Sequence, residues 1–413
     1  YAASTPQAVG SYANDILIAG ATGPGGFNSS NYNISSTPVS LTINARPVTV
    51  TATAKTKVYG EADPSLTYSI AADGVGTSRG LANSETLTGA LTRAAGEVVD
   101  TYAIGQGGLT NANNSNYAIT YVANNLTVTR RPITLTANAA TKIYGDTDPT
   151  LSVSASASGA GVGIATTANG NTVNDTLADI TGTLSRQAGS NVGAYDIALG
   201  SGSKSANYDI TFAADNNAFT ITPRTVTLSA TKTYDGSAAL TGSQVTIGNL
   251  ANSETLAYTG AVANSKHVAG ADGNTATADN FISAITLANA TDASGGLASN
   301  YQLPTLNVAN APVTITPLAV TLAAPTVSKT YDGNTSYATT AADLTSIAGS
   351  ALVGGDTVTA ATMTYDNRHV GSGNKTVSLD SVTISSGNSN YIINRGSNTS
   401  STITQLTSAT WVG

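Results

Sequence analysis

The chain has 413 residues, only 10% of them charged, with a formal net charge of −7 and no cysteine. That balance excludes a nucleic-acid surface, which needs a basic patch, and the missing thiols exclude disulfides and thiolate metal sites. No apolar run reaches about eighteen residues, so nothing in this segment inserts into a membrane as a helix, and the length suits about two to four domains.

The first 45 residues carry a Val9-Gly10-Ser11-Tyr12 stretch and an Asn31-Tyr32 pair. From Arg46-Pro47 a clearer pattern begins, with Val48, Val50, Ala52 and Ala54 alternating with Thr49, Thr51 and Thr53. Period two puts the aliphatic set on one face of a strand and the threonines on the other. The run ends in Lys57-Val58-Tyr59-Gly60, where glycine permits the positive φ of a tight turn. Further strands are predicted at 66–70, 87–92, 101–106, 117–122 and 126–129. Residues 78–85 are the only candidate helix.

The same order then returns. Lys142-Ile143-Tyr144-Gly145, Lys232-Thr233-Tyr234-Asp235-Gly236 and Lys329-Thr330-Tyr331-Asp332-Gly333 repeat the first motif. The chain has only eight lysines, and four of them hold this one position. Asn-Tyr pairs at Tyr32, Tyr117, Tyr208, Tyr301 and Tyr391 follow one another at spacings of 85 to 93 residues. A period near ninety is a whole domain in tandem, not a solenoid coil. The units are a partial module, 1–45, matching only the second half of the others; full modules at 46–130, 131–223, 224–316 and 317–405; and 406–413, the start of a following segment. Each full module is expected to be an all-β, antiparallel β-sandwich, Ig-like, with a β-grasp-like sheet as the variant that would need a helix. Prolines 47, 132, 223 and 317 at the junctions stiffen them, so the tandem array is expected to form a rod.

These motifs resemble the tandem MBG and YDG repeats of bacterial surface proteins, especially filamentous-haemagglutinin-like exoproteins of two-partner secretion systems. Modules 46–130 and 131–223 carry the MBG-type Lys-x-Tyr-Gly-x-x-Asp-Pro form, through Asp63-Pro64 and Asp148-Pro149. Modules 224–316 and 317–405 carry the YDG form, with later His267-Val268 and His369-Val370 stretches. The resemblance implies an extracellular place on a bacterial cell surface, in the stalk of a large adhesin that supports adhesion or biofilm formation. Its partners would then be the remainder of a longer polypeptide, host or matrix glycans, or further copies of itself.

Several residues invite a chemical reading. A Ser/His/Asp triad would need His267 or His369, but Tyr102 and Tyr195 occupy the matching region of the first two modules, so a ring covering a strand end is expected instead. The Asn-Tyr tyrosines are expected in the core, each hydroxyl on a backbone group, with the asparagine in an Asx turn. The rival reading is a sugar platform. One acid recurs per module, Glu85, Asp175, Glu254 and Asp356. With the recurrent lysine and asparagine it makes the set of a Lys–Asn isopeptide bond, against the plainer expectation of a lysine pairing with an acid near a strand end. Glu61, Asp63, Asp146 and Asp148 are the candidates for calcium, although no EF-hand loop surrounds them. No other cofactor is implied. Sequons at Asn33, Asn125, Asn289 and Asn398 permit glycosylation without implying it. The expected function is that of a stalk or spacer; the alternatives are multivalent carbohydrate-binding modules or the subunit of an extracellular filament or sheath.

Overall fold

In the computed structural model, residues 7–16, 25, 27–35, 37, 39–270 and 280–408 are described. The fold is all-β. The expected opening of a further segment at 406–413 lies largely outside the described residues, at 409–413.

The first full repeat shows the plan. Strands β1 (Gly10–Ile16) and β2 (Val39–Ile43) precede it as an antiparallel pair. The repeat then runs β3 (Arg46–Ala52), β4 (Lys55–Val58), β5 (Tyr68–Ile70), β6 (Thr92–Arg93), β7 (Thr101–Gly105), β8 (Tyr117–Val122) and β9 (Asn124–Thr129). Two small sheets result, ordered β5-β3-β8 and β4-β9-β7-β6. The predicted single strand over 48–58 is thus two strands. It passes from one sheet to the other at Thr53-Ala54, and β8 and β9 make the same passage beside it.

The pairing departs from an antiparallel sandwich. β3 lies parallel to β8, from Arg46↔Tyr117 to Thr51↔Val122, and β4 lies parallel to β9. Parallel neighbours need a long crossover, and residues 59–116 supply it. The other repeats keep this rule: 131–137 runs parallel to 208–212, 140–143 to 219–222, 230–233 to 313–316, and 318–323 to 391–396. The alternation of the opening strand is realised, since Val48, Val50 and Ala52 are buried while the threonines between them are half-exposed.

Helix content differs from expectation too. Residues 78–85 are irregular apart from a turn at Asn83-Ser84, with the buried Ser78 hydroxyl donating to the Ala71 carbonyl at 2.8 Å. Short helices stand instead at Leu177–Thr181 and Ala341–Ala348, each opened by a capping box, Thr176 with Asp179 and Thr340 with Asp343. The strand predicted at 87–92 is mostly irregular, with only Thr92 in a strand, although Leu87 is buried.

Two compact units emerge. One comprises Tyr1–Ala139, Thr150–Gln187 and Tyr195–Ala218; the other comprises Ala140–Pro149, Ala188–Ala194 and Phe219–Gly413. They do not follow the sequence repeats. The first sheet of the 131–223 repeat belongs to the first unit, while its Lys142-Ile143-Tyr144-Gly145 turn belongs to the second.

Candidate functional site

The recurrent tyrosines are what tie one repeat to the next. In the first unit, the Tyr59-Gly60 turn of one repeat enters the following repeat, where the Tyr59 ring meets Tyr208 edge to face at 5.6 Å and 73°. Both rings belong to one apolar cluster with Ile133, Leu135, Ala165 and Ile180. Tyr208 donates its hydroxyl to Asp175 at 2.7 Å and accepts from the backbone N–H of Ala165 at 3.2 Å. The Tyr59 hydroxyl is buried beside the same carboxylate and completes no hydrogen bond. Burial first, and the Asp175 charge second, hold its phenol far above the ordinary tyrosine range.

The second unit contains two further copies of this joint. Tyr144 meets Tyr301 at 5.4 Å, and the hydroxyls of both donate to the single carboxylate of Glu254, each at 2.7 Å. Tyr234 meets Tyr391 at 5.3 Å, and both donate to Asp356, at 2.8 and 2.7 Å. Each Asn-Tyr tyrosine also accepts a backbone N–H, from Ala251 for Tyr301 and from Val353 for Tyr391. Burial, followed by the Glu254 hydrogen bond, pushes the Tyr301 phenol up to about 12.

The glycine after each plugging tyrosine is required twice over. Gly60, Gly145 and Gly236 have φ of 84°, 84° and 76°, the left-handed region that a side chain resists. A Cβ at Gly60 would also stand 2.8 Å from Ala165 Cβ, at Gly145 2.3 Å from Ala251 Cβ, and at Gly236 2.3 Å from Gly354 Cα. In every case the obstructing atom belongs to the next repeat.

The asparagine of Asn-Tyr completes the joint, and the Asx-turn expectation is corrected. Its side-chain oxygen accepts the backbone N–H of a valine in the preceding repeat: Val99 to Asn207 at 3.1 Å, Val192 to Asn300 at 2.9 Å, and Val268 to Asn390 at 2.9 Å. His267 joins the last of these, its Nδ1 3.0 Å from the Asn390 amide nitrogen and its ring stacked on Tyr234. The repeat-opening arginines add a clasp. Arg131, wholly buried, donates to the Tyr59 carbonyl at 3.3 Å and to Gly163 O and Val162 O at 2.9 Å; Arg224 donates to Tyr144 O at 2.8 Å.

The lysines serve a different purpose. Lys57 is buried, with its ammonium 2.7 Å from Asp63, 2.6 Å from Glu97 and 3.1 Å from the Glu61 carbonyl. Arg93 binds the same two carboxylates. Its hydrogen bond is the main reason that Asp63 titrates below the usual carboxylate range. Lys142 pairs with Asp148 at 2.6 Å, Lys232 with Asp235 and Lys329 with Asp332, both at 2.8 Å; each also binds a carbonyl of its own turn. The lysine therefore closes the loop that carries the tyrosine. The recurrent acid expected to meet it lies instead under the tyrosines. Lys57 and Asn116, the pair for an isopeptide bond, are engaged with different partners, since Asn116 accepts from Val9.

Of the calcium candidates, Asp63, Asp146 and Asp148 are matched by Arg93, Arg224 and Lys142. Glu61 bonds Lys57 through its backbone carbonyl. Among the described residues, no three carboxylate or imidazole groups converge as a metal set. Tyr117 is buried, as predicted, whereas Tyr32 is 61% exposed and Tyr331 38% exposed. The valine N–H groups left no sequence signal because they are backbone groups, and Arg131 and Arg224 left none beyond standing beside the junction prolines Pro132 and Pro223.

Residues 48–127 and 133–220 match the family model for the MBG domain of YGX type, and residues 316–402 match that for the YDG domain. No curated protein matches the chain.

Proposed function

We propose that this chain, which carries MBG domains of YGX type and a YDG domain, is the stalk of a large bacterial cell-surface adhesin. The reading includes an extracellular location, secretion in the manner of two-partner exoproteins, and a role in adhesion or biofilm formation. The observation that carries it is the burial of the recurrent tyrosines in joints between successive repeats. A glycan platform would need those rings on an open face. A spacer needs neighbouring repeats that do not swing freely, and a buried ring with a shared carboxylate restricts swinging.

Small-angle scattering on the whole chain tests this. For a stalk, each full repeat adds roughly 30–40 Å at strand rise, so the largest dimension should exceed about 120 Å. A profile with the radius of gyration of one globule of this length would contradict the proposal.

A further inference from the structure

The three joints differ in one residue, the one that precedes the valine whose N–H the Asn-Tyr asparagine accepts. It is Val98 in the first joint, Asn191 in the second and His267 in the third. In the second joint the Asn300 amide nitrogen donates to Asn191 Oδ1 at 2.9 Å. In the third, the Asn390 amide nitrogen stands 3.0 Å from His267 Nδ1. A ring nitrogen there takes the place of a side-chain carbonyl.

The rest of the network fixes which of the two nitrogens donates. Asn390 Oδ1 accepts the Val268 N–H at 2.9 Å, and Asn390 Nδ2 also donates to the Ser386 carbonyl at 2.6 Å. Turning the amide over would set its nitrogen against the Val268 N–H and its oxygen against the Ser386 carbonyl. Asn390 Nδ2 is therefore the donor and His267 Nδ1 the acceptor, which puts the ring proton of neutral His267 on Nε2. A protonated imidazole carries hydrogen on both nitrogens and would oppose one donor to another. Turning the ring over does not restore the bond, because it brings a C–H to the amide. Asn191 meets no such limit, since an amide oxygen accepts in neutral and acid medium alike.

Among the described residues, the titratable and charged groups around this ring are few. The Tyr234 phenol is stacked on it at 6.2 Å, Lys266 is its chain neighbour, and Asp235 is paired with Lys232. Asp356 lies at the Tyr234 hydroxyl and accepts from Tyr391 and Ser386 as well. Burial works against the Asp356 charge, but those hydrogen bonds hold its carboxyl below the usual range. Burial holds both phenols above theirs. In mildly acid medium the imidazole is thus the group of this set that changes charge.

We propose that His267 makes the third joint responsive to acid: protonation at Nδ1 withdraws the acceptor from Asn390 and loosens the contact between the 224–316 and 317–405 repeats. The joint built on Asn191 keeps its bond. The closed third joint excludes a proton that the open one accepts, so its stability falls as pH falls. The inference rests on the geometry of the joints and not on the stalk reading.

The test is amide hydrogen exchange of the whole chain at about pH 7.5 and about pH 5.5, a window that brackets the ordinary titration of histidine and stays above that of carboxylates. Val268 and Val192 serve as paired reporters, since each N–H donates to the asparagine of its own joint. Protection is taken relative to the intrinsic exchange rate at each pH. On acidification it should fall at least about threefold further at Val268 than at Val192, the effect of losing one ordinary hydrogen bond. His267→Asn should abolish the difference, and Asn191→His should bring the same fall to Val192. Equal changes at the two valines of the unaltered chain would overturn the proposal. So would an excess fall at Val268 that survives His267→Asn, or a Val192 that stays insensitive to acid in Asn191→His.

Discussion

Tyr234 and Tyr391 meet edge to face at 5.3 Å and 77°, and both hydroxyls reach one carboxylate, Asp356. They belong to different repeats, so the 317–405 repeat completes its core with a ring from the one before, as the 131–223 and 224–316 repeats do. The glycine beside the plug gives a clean way to weigh that contact. Gly236 and Gly333 have the same backbone, φ 76° and 78°, but a Cβ at Gly236 strikes the next repeat while one at Gly333 meets nothing within 4 Å. Gly333→Ala should cost about 1–2 kcal/mol, the left-handed penalty alone. Gly236→Ala should cost about 1–3 kcal/mol more, for overpacking. Denaturant titrations of the two variants give the difference; equal costs would mean that the joint gives way without loss.

Tyr208→Ala should destabilise the first unit by about 3–5 kcal/mol, the usual price of removing a buried aromatic ring. Because Tyr59 and Tyr208 share one cluster, amide exchange should speed up in both 131–212 and 55–60. Faster exchange confined to the repeat that bears the substitution would show that the cluster is not shared.

Alkaline pH should open the joints. The Tyr301 phenol is raised to about 12 in the folded chain, by burial and then by Glu254, while an unfolded phenol ionises near 10. The folded state thus holds the proton more tightly, so the stabilisation is complete below about pH 10 and lost as pH rises toward about 12. Absorbance of tyrosinate should rise in two stages, the exposed rings first and the joint rings together with unfolding. A single stage near pH 10 would contradict the buried assignment.

Lys57 is committed to Asp63 and Glu97, and Asn116 to Val9. The intact mass should therefore equal the sequence mass; a deficit of one ammonia per full repeat would show a Lys–Asn crosslink instead.

Much of this was written in the sequence, but unevenly. The alternation of Val48, Val50 and Ala52 revealed which faces are buried, and the returning Lys-x-Tyr and Asn-Tyr pairs set the repeat length. The parallel pairing was not legible, because period-two alternation is the same for either direction of a neighbour. Nor was the sheet switch at Thr53-Ala54, where alternation continues across the change of sheet. The helix at Ala341–Ala348 did leave a sign, the Thr340-x-x-Asp343 capping box before Leu344 and Ile347. The role of the acids was hidden for a different reason. Glu85, Asp175, Glu254 and Asp356 lie far in sequence from the tyrosines they serve, and the last three each meet a second ring that comes from another repeat.

The central claim is that neighbouring repeats are energetically coupled through the tyrosine joint, and Met363 allows it to be tested in the whole chain. It is the only methionine and is buried in the 317–405 repeat. Its labelled methyl group therefore reports that repeat alone. The measurement is the denaturation midpoint of the Met363 methyl signal with and without Tyr234→Ala, a substitution in the preceding repeat. Coupling predicts that the midpoint falls, by an amount corresponding to at least about 1 kcal/mol, a contact loss within the range of large-to-small core substitutions. An unchanged Met363 midpoint, with the 224–316 repeat alone destabilised, would contradict the account.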